Sequence, residues 1–258
     1  VCHIEKTSYL CTVKDLSIIM DFQIIDRQIN LILNGTRDLS GFNQQEHAGI
    51  CTAGSSLIGA LIVCNHTRES LAAGSHATAG QESVPNWQID QAQEAAVYQW
   101  AESRGIWIPH ADEWLESSFG PMIAQGAEAK VFYHTGDTSV VKERASIYAT
   151  LGRALEAIVL HNTLFPETLM RVIGYTRDAD GIFRIILTQP YIECERLASK
   201  SETDALLQAK GFLDNGDGSG VNYFSDRLLL EDMHPANIFI DRLTSAPICI
   251  DCIVKFRK

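Results

Sequence analysis

One run near the end of the chain constrains the fold most: LLLEDMHPANIFIDRLTSAPICIDC, from Leu228 to Cys252. It sets Asp232, His234, Asn237 and Asp251 among apolar, strand-like stretches such as NIFI and PICI. A carboxylate buried without a partner is expensive, so Asp251, inside ICIDCIV, wants a cation or a hydrogen-bond donor. Whatever fold forms must bring strands together around a small polar cleft. His234 alone reads as a structural or hydrogen-bonding histidine.

Composition excludes several partner classes. The 258 residues carry a formal charge of −11, which argues against a broad nucleic-acid-binding face. Seven cysteines, an odd number, fit reduced thiols and a cytoplasmic setting better than a disulfide framework. Cys249 and Cys252 form a CxxC, read here as two small core residues. The uncharged stretch from Ala48 to Cys64 falls short of the ~20 apolar residues that a membrane span needs and suits a buried helix. No basic segment leads into an apolar core at the N-terminus, so no secretory signal is expected. A start at Val1 rather than Met is expected of a piece of a longer polypeptide.

Residues 1–118 read as a mainly helical extension, with LAAGSHATAGQESVP (Leu71 to Pro85) as a loop. In NWQIDQAQEAAVYQWAESRG, apolar residues recur at helical spacing and Gly105 supplies a stop. A short helix, ADEWLESS, follows. From Phe119 the texture turns to β: AKVFYHT and TSVVKE form a hairpin around Gly-Asp. A helix is expected over SIYATLGRALEAIVLHNTLF, then two strands around the Asp-Gly of LMRVIGYTRDADGIFRIILTQPYI. The class expected is α+β.

Phosphoryl transfer from a nucleotide requires mostly positioning and charge stabilisation. The parts needed are a strand turn over the phosphates, a Lys to hold them, hard oxygen donors for Mg²⁺, and an Asp near the attacking hydroxyl. They occur here in order. Gly126 stands at a turn in QGAEAKVF, where backbone can approach a phosphate. Lys142 ends the apolar strand SVVK, and Glu156 lies in the following helix, placed to pair with it. Glu143 and Glu167 sit too near the strand end or beyond the helix. Asp232 and Asn237 have D-x-x-x-x-N spacing, and Asp251 follows an apolar run. Each feature is ordinary alone; their order gives the set its weight.

On these residues the chain resembles the protein-kinase-like superfamily. GAEAKVF, HNTLFPET and EDMHPANIFID look like the kinase-like domain of polyvalent proteins of phages and conjugative elements, mostly bacterial. QGAEA also resembles the atypical kinases of the tRNA threonylcarbamoyl-adenosine machinery, and DMHPAN the D-x-H-P-x-N loop of small-molecule phosphotransferases. The resemblance implies a two-lobed fold: a sheet-rich lobe over 119–190 and an abbreviated second lobe over 191–258. Helices from 1–118 are expected to pack on one of them. It makes TQPYIE a hinge whose backbone meets adenine at Pro190 and Tyr191.

The implied function is an ATP- and Mg²⁺-dependent phosphotransferase. Lys142 would hold the α- and β-phosphates, oriented by Glu156; Asp232 would serve the acceptor hydroxyl; Asn237 and Asp251 would bind metal. The acceptor stays open among a protein hydroxyl, a nucleic-acid end and a small molecule. The alternative is a silent pseudokinase acting as a binding module of a larger mobile-element protein, and a third reading is a nucleotidyl transferase. The sequence departs from the kinase pattern at Leu230, where a His is usual, and at Cys252-Ile253, where Phe-Gly is usual. The phosphate turn has one glycine rather than three. No activation segment follows Asp251 within the chain.

Overall fold

The computed structural model describes residues 48–74, 84–126 and 128–257. The helical segments expected before Ala48, most of the polar stretch before Pro85, and Ala127 of the glycine turn lie outside the described residues. Among the described residues, five α-helices and antiparallel sheets make the class α+β. No helix among the described residues is long and apolar enough to cross a membrane.

Helix α1 (Ala48–Gly74) runs beyond the expected loop boundary at Leu71, because Leu71, Ala72 and Ala73 are good helix formers and the turn continues through them. Helices α2 (Asn86–Ser103) and α3 (Ala111–Phe119) follow. Strands β1 (Met122–Gln125), β2 (Ala129–Phe132) and β3 (Ser139–Ala145) form a meander. Helix α4 spans Leu151–Leu164. It starts five residues later than the expected segment because Thr150 is its N-cap, with Oγ1 accepting from Arg153 N–H. Strands β4 (Arg171–Arg177) and β5 (Phe183–Pro190) complete a sheet of order β1-β2-β3-β5-β4.

Alternation along β3 decides what each face of this sheet meets. Val141 packs with Phe132 and Ile186 against Ala111 and Leu115 of α3. Lys142 and Arg144 cannot share that face with Val141 and Glu143. Directly across β5 they pair with Leu187 and Ile185.

The N-terminal helices grip α4. Its first N–H groups are capped from α2: Leu151 N–H donates to Asp90 Oδ1 at 2.6 Å and Gly152 N–H to Gln93 Oε1 at 2.9 Å. Gln93 Nε2 in turn donates to the Cys64 carbonyl of α1 at 3.0 Å. Gly152 permits the crossing, since a Cβ there would stand 2.9 Å from Gln93 Nε2 and 3.2 Å from Cys64 Cβ. Gly59 of α1 likewise lies under the Trp100 ring, 2.4 Å from where a Cβ would be.

The rest of the chain forms two smaller sheets. After β6 (Cys194–Leu197) and α5 (Lys200–Ala209) come β7 (Leu213–Asp214), β8 (Tyr223–Phe224), β9 (Leu228–Glu231), β10 (Ile238–Asp241), β11 (Pro247–Cys249) and β12 (Ile253–Phe256). One sheet has the order β11-β10-β6, the other β12-β9-β8-β7. Glu231 pairs with Ile253, and Ile238 with Cys249. The β9–β10 link holding Asp232 therefore crosses between the sheets beside the β11–β12 link holding Asp251.

Two tests follow from this packing. Gln93→Ala leaves the Gly152 N–H and the Cys64 carbonyl without their partner, and should cost on the order of 1–3 kcal/mol in denaturant melts. An unchanged midpoint would show that the α1–α2–α4 junction is not held this way. The second concerns Asp178 in the β4–β5 turn. Its Oδ1 accepts from Asp180 and Ile182 N–H, and its Oδ2 takes Nε and NH2 of Arg184 at 2.8 and 2.6 Å. Burial pushes the carboxyl up, but the Arg184 fork and the turn N–H groups outweigh it and hold it below its usual range. Such a group stabilises the fold above the unfolded carboxylate pKa, and that contribution is lost as pH falls through the folded value. Asp178→Asn should lower the melting temperature at pH 7 and flatten its fall in acid; parallel pH curves would refute this.

Candidate active site

Asp232 adopts φ 64°, one of three described non-glycine residues with positive φ. For a residue with a Cβ this costs on the order of 1 kcal/mol, and such strain persists only where neighbours fix it. Asn237 does so: its Nδ2 donates to the Asp232 carbonyl at 2.9 Å and to Oδ2 at 3.0 Å. Pro235 opens the 3₁₀ turn Pro235–Asn237, where its missing N–H costs nothing. His234 Nδ1 accepts from Ala236 N–H at 3.2 Å, which leaves Nε2 as the protonated nitrogen, 3.5 Å from Asp232 Oδ1. The Asp232 side chain keeps 48% of its surface exposed, so its carboxylate is held in place and open to solvent.

Asp251 follows a different pattern. Its Oδ1 accepts from Arg144 NH1 at 3.2 Å and from Cys252 N–H at 2.9 Å. Burial raises this carboxyl, but the charges of Arg144, Lys142 and His161 prevail and hold it below the usual carboxylate range. The backbone brings it to the Asp232–Asn237 pair, since Ile250 N–H donates to the Asn237 carbonyl at 2.9 Å. Asp232 and Asn237 thus meet through side chains, and Asp251 joins them through the main chain.

Lys142 is buried, and its Nζ donates to the Ile250 carbonyl at 3.3 Å. Burial lowers its pKa, against the charge of Asp251. The expected ion pair with Glu156 is not formed. Glu156 takes Arg153 NH1 at 2.5 Å instead, because residues three apart on one helix are neighbours whatever the helix faces.

The glycine turn joins β1 to β2, with Gly126 N–H donating to the Ala129 carbonyl at 2.8 Å. Among the described residues a Cβ on Gly126 would meet nothing nearer than that carbonyl, at 3.9 Å, so their packing does not demand the glycine. Pro190 still belongs to β5, opposite Ser139, and has no N–H. The Tyr191 N–H is engaged by the Thr138 carbonyl at 2.9 Å, so neither residue has a backbone donor to offer adenine. What Tyr191 presents is a ring stacked on Tyr133, centroids 4.4 Å apart and planes 13° apart.

Sequence reasoning missed four residues here. Gln189 Nε2 donates to both the Thr168 and Ile250 carbonyls, at 2.9 and 3.0 Å. Thr168 Oγ1 donates to the Cys249 carbonyl at 2.7 Å, and His161 Nδ1 lies 3.5 Å from Cys252 Sγ. These contacts, with Arg144, fix the 249–252 segment. Only Arg144 left a signal: two residues after Lys142 in a strand, it must share the face of Lys142. Cys249 and Cys252 are both buried.

The donor chemistry fits Mg²⁺. Among the described residues no three His, Cys, Asp or Glu side chains are grouped to hold a metal unaided. Mg²⁺ commonly takes only one or two carboxylates and completes its shell with phosphate and water. Carboxylates at Asp232 and Asp251 and the amide of Asn237 are donors of that kind.

No curated protein matches the chain. A family described as a serine/threonine/tyrosine kinase found in polyvalent proteins matches residues 90–258. That match starts within α2, upstream of the change to β texture at Phe119, and so takes in Asp90 and Gln93, which cap α4. Covering well over half the sequence, it shows that the chain belongs to this kinase family of polyvalent proteins.

Proposed function

We propose that the chain is an ATP- and Mg²⁺-dependent phosphotransferase, a cytoplasmic module of a larger mobile-element protein. On this reading residues 119–190 and 191–258 act as two lobes, and 1–118 is a mainly helical extension, of which α1 and α2 brace α4. Lys142 holds the nucleotide phosphates beneath the Gly126 turn, and Asn237 and Asp251 are the residues that would hold Mg²⁺. Bound there, the cation supplies neutralisation of phosphate charge. Asp232 orients the acceptor hydroxyl and receives its proton. The acceptor is a hydroxyl of a protein or a small molecule, since a charge of −11 disfavours an extended polyanion.

The observation that carries this reading is Asp232 itself. Its backbone is held in a costly conformation by Asn237 while its carboxylate stays exposed. A second reading, a silent nucleotide-binding pseudokinase, draws support from the Glu156–Arg153 pair that stands in place of Lys142–Glu156.

Label transfer from γ-labelled ATP separates the two. Wild type should transfer or hydrolyse, and Asp232→Ala should lose about a hundredfold or more in rate while keeping its thermal stabilisation by ATP. Equal rates in the two proteins would overturn the assignment. A wild type that is stabilised by ATP but transfers nothing would favour the silent module. Gly126→Ala offers an independent check: its melting temperature without ligand should match wild type, because the new Cβ has room, while the ATP-induced rise should shrink. An undiminished rise would remove Gly126 from the phosphate site.

A further inference from the structure

Asp251 presents its carboxylate in a particular way. Both of its contacts, Arg144 NH1 and Cys252 N–H, fall on Oδ1, leaving Oδ2 as the oxygen on offer. Arg144 is itself fixed. It is buried on β3 opposite Ile185, and its NH1 also rests 3.8 Å from Met170 Sδ. A guanidinium is charged at every accessible pH, so the free protein already has a cation beside this carboxylate. Lys142, two residues earlier on the same strand face, adds its amino group at the carbonyl of Ile250, the residue before Asp251.

Around Asp251, the basic side chains Arg144, Lys142 and His161 act on one buried carboxylate, with Glu128 as the further carboxylate acting on Arg144. Such a place repels a bare dication and attracts a polyphosphate. Cation sites that take metal ahead of nucleotide gather several carboxylates, and among the described residues no such group occurs.

We propose that Arg144 is a positioning residue that sets the order of binding at this site. By neutralising Asp251 in the free protein and holding its Oδ1, Arg144 reserves a single oxygen for a divalent cation. The cation then enters with the nucleotide phosphates and not before them. The polyphosphate supplies the negative charge that the site lacks, and only with it present does Oδ2 become a useful ligand. This rests on the nucleotide-binding reading of the site given above.

The test uses the full chain, with Mn²⁺ as the probe and free Mn²⁺ read by electron paramagnetic resonance; ATP binding is read separately by melting temperature, with and without EDTA. Wild type should take up no Mn²⁺ without nucleotide below about millimolar concentration, yet should be stabilised by ATP in EDTA, and further by ATP with Mn²⁺. Arg144→Met keeps the volume and exposes the Asp251 charge. It should bind Mn²⁺ without nucleotide at least about tenfold tighter than wild type and lose much of the metal-free ATP shift. A role in packing alone would lower the melting temperature without creating cation affinity.

Equal Mn²⁺ affinities in a folded Arg144→Met and wild type would overturn the proposal, as would tight Mn²⁺ uptake by wild type without nucleotide. If Arg144→Met does not fold, Asp251→Asn decides: it should keep the metal-free ATP shift and lose the extra gain from Mn²⁺, and a full gain from Mn²⁺ would refute the role. Failure of the underlying reading looks different, because ATP would then stabilise wild type neither with nor without the cation.

Discussion

Strand β3 buries three consecutive charges, Lys142, Glu143 and Arg144, and the placement of much of the chain answers to them. An unpaired charge away from water is too costly to keep, so each needs a partner, and alternation sends the partners to opposite faces. On one face Glu143 lies 3.1 Å from Lys130 of β2, a charge pair more than a directed hydrogen bond. Lys130 also reaches Asp112 at 2.6 Å and so ties α3 over the sheet. On the other face Lys142 and Arg144 require acceptors that the sheet cannot supply. The segment from Ile250 to Cys252 supplies them, as a carbonyl and a carboxylate. The same demand that satisfies a strand thus draws the second half of the chain to the first.

The links between the small sheets turn that attraction into a site. Because β9 pairs with β12 and β10 with β11, the segments carrying Asp232 and Asp251 cross side by side. The Ile250 main chain then joins both halves, its N–H on Asn237 and its carbonyl on Lys142 and Gln189. One peptide segment therefore bridges the exposed Asp232–Asn237 pair and the buried charges of β3. Thr168, Gln189 and His161 also fasten it.

How much of this was legible in the sequence follows from the range of each interaction. Period and turn chemistry are local, so the β2–β3 hairpin, the β4–β5 hairpin and α2 could be read directly from spacing and Asp-Gly or Gly-Asp signals. Asp232 and Asn237 could be paired because five residues fix their separation. Asp251 could be suspected because a carboxylate in an apolar run needs a partner. The identity of that partner could not be read: Arg144 is 107 residues away, and nothing local ranks it above Lys142. The same holds for Glu156, whose pairing was assigned across the fold while its neighbour Arg153 was at hand on the helix. Pro190 and Tyr191 show a further limit. Whether a backbone N–H is available to a ligand depends on a loop such as Thr138, which no pattern at the hinge reports.

In the free protein four charges assigned to the candidate site already have internal partners. Lys142 has a carbonyl, Glu156 has Arg153, Asp251 has Arg144, and Asp232 has Asn237. A ligand entering here does not meet vacant charges; it exchanges one set of contacts for another, and only the difference appears as affinity. The exchange is least costly where the existing contact is weakest. Lys142 has a single carbonyl at 3.3 Å, whereas Asp251 has two donors and Glu156 a short bridge at the half-exposed Arg153. On the proposed reading, phosphate oxygens win Lys142 first, and the carboxylates follow only when a cation makes the change favourable. That ordering draws on the buried charges of β3, and it links the constraint that shapes the fold to the sequence in which the site fills.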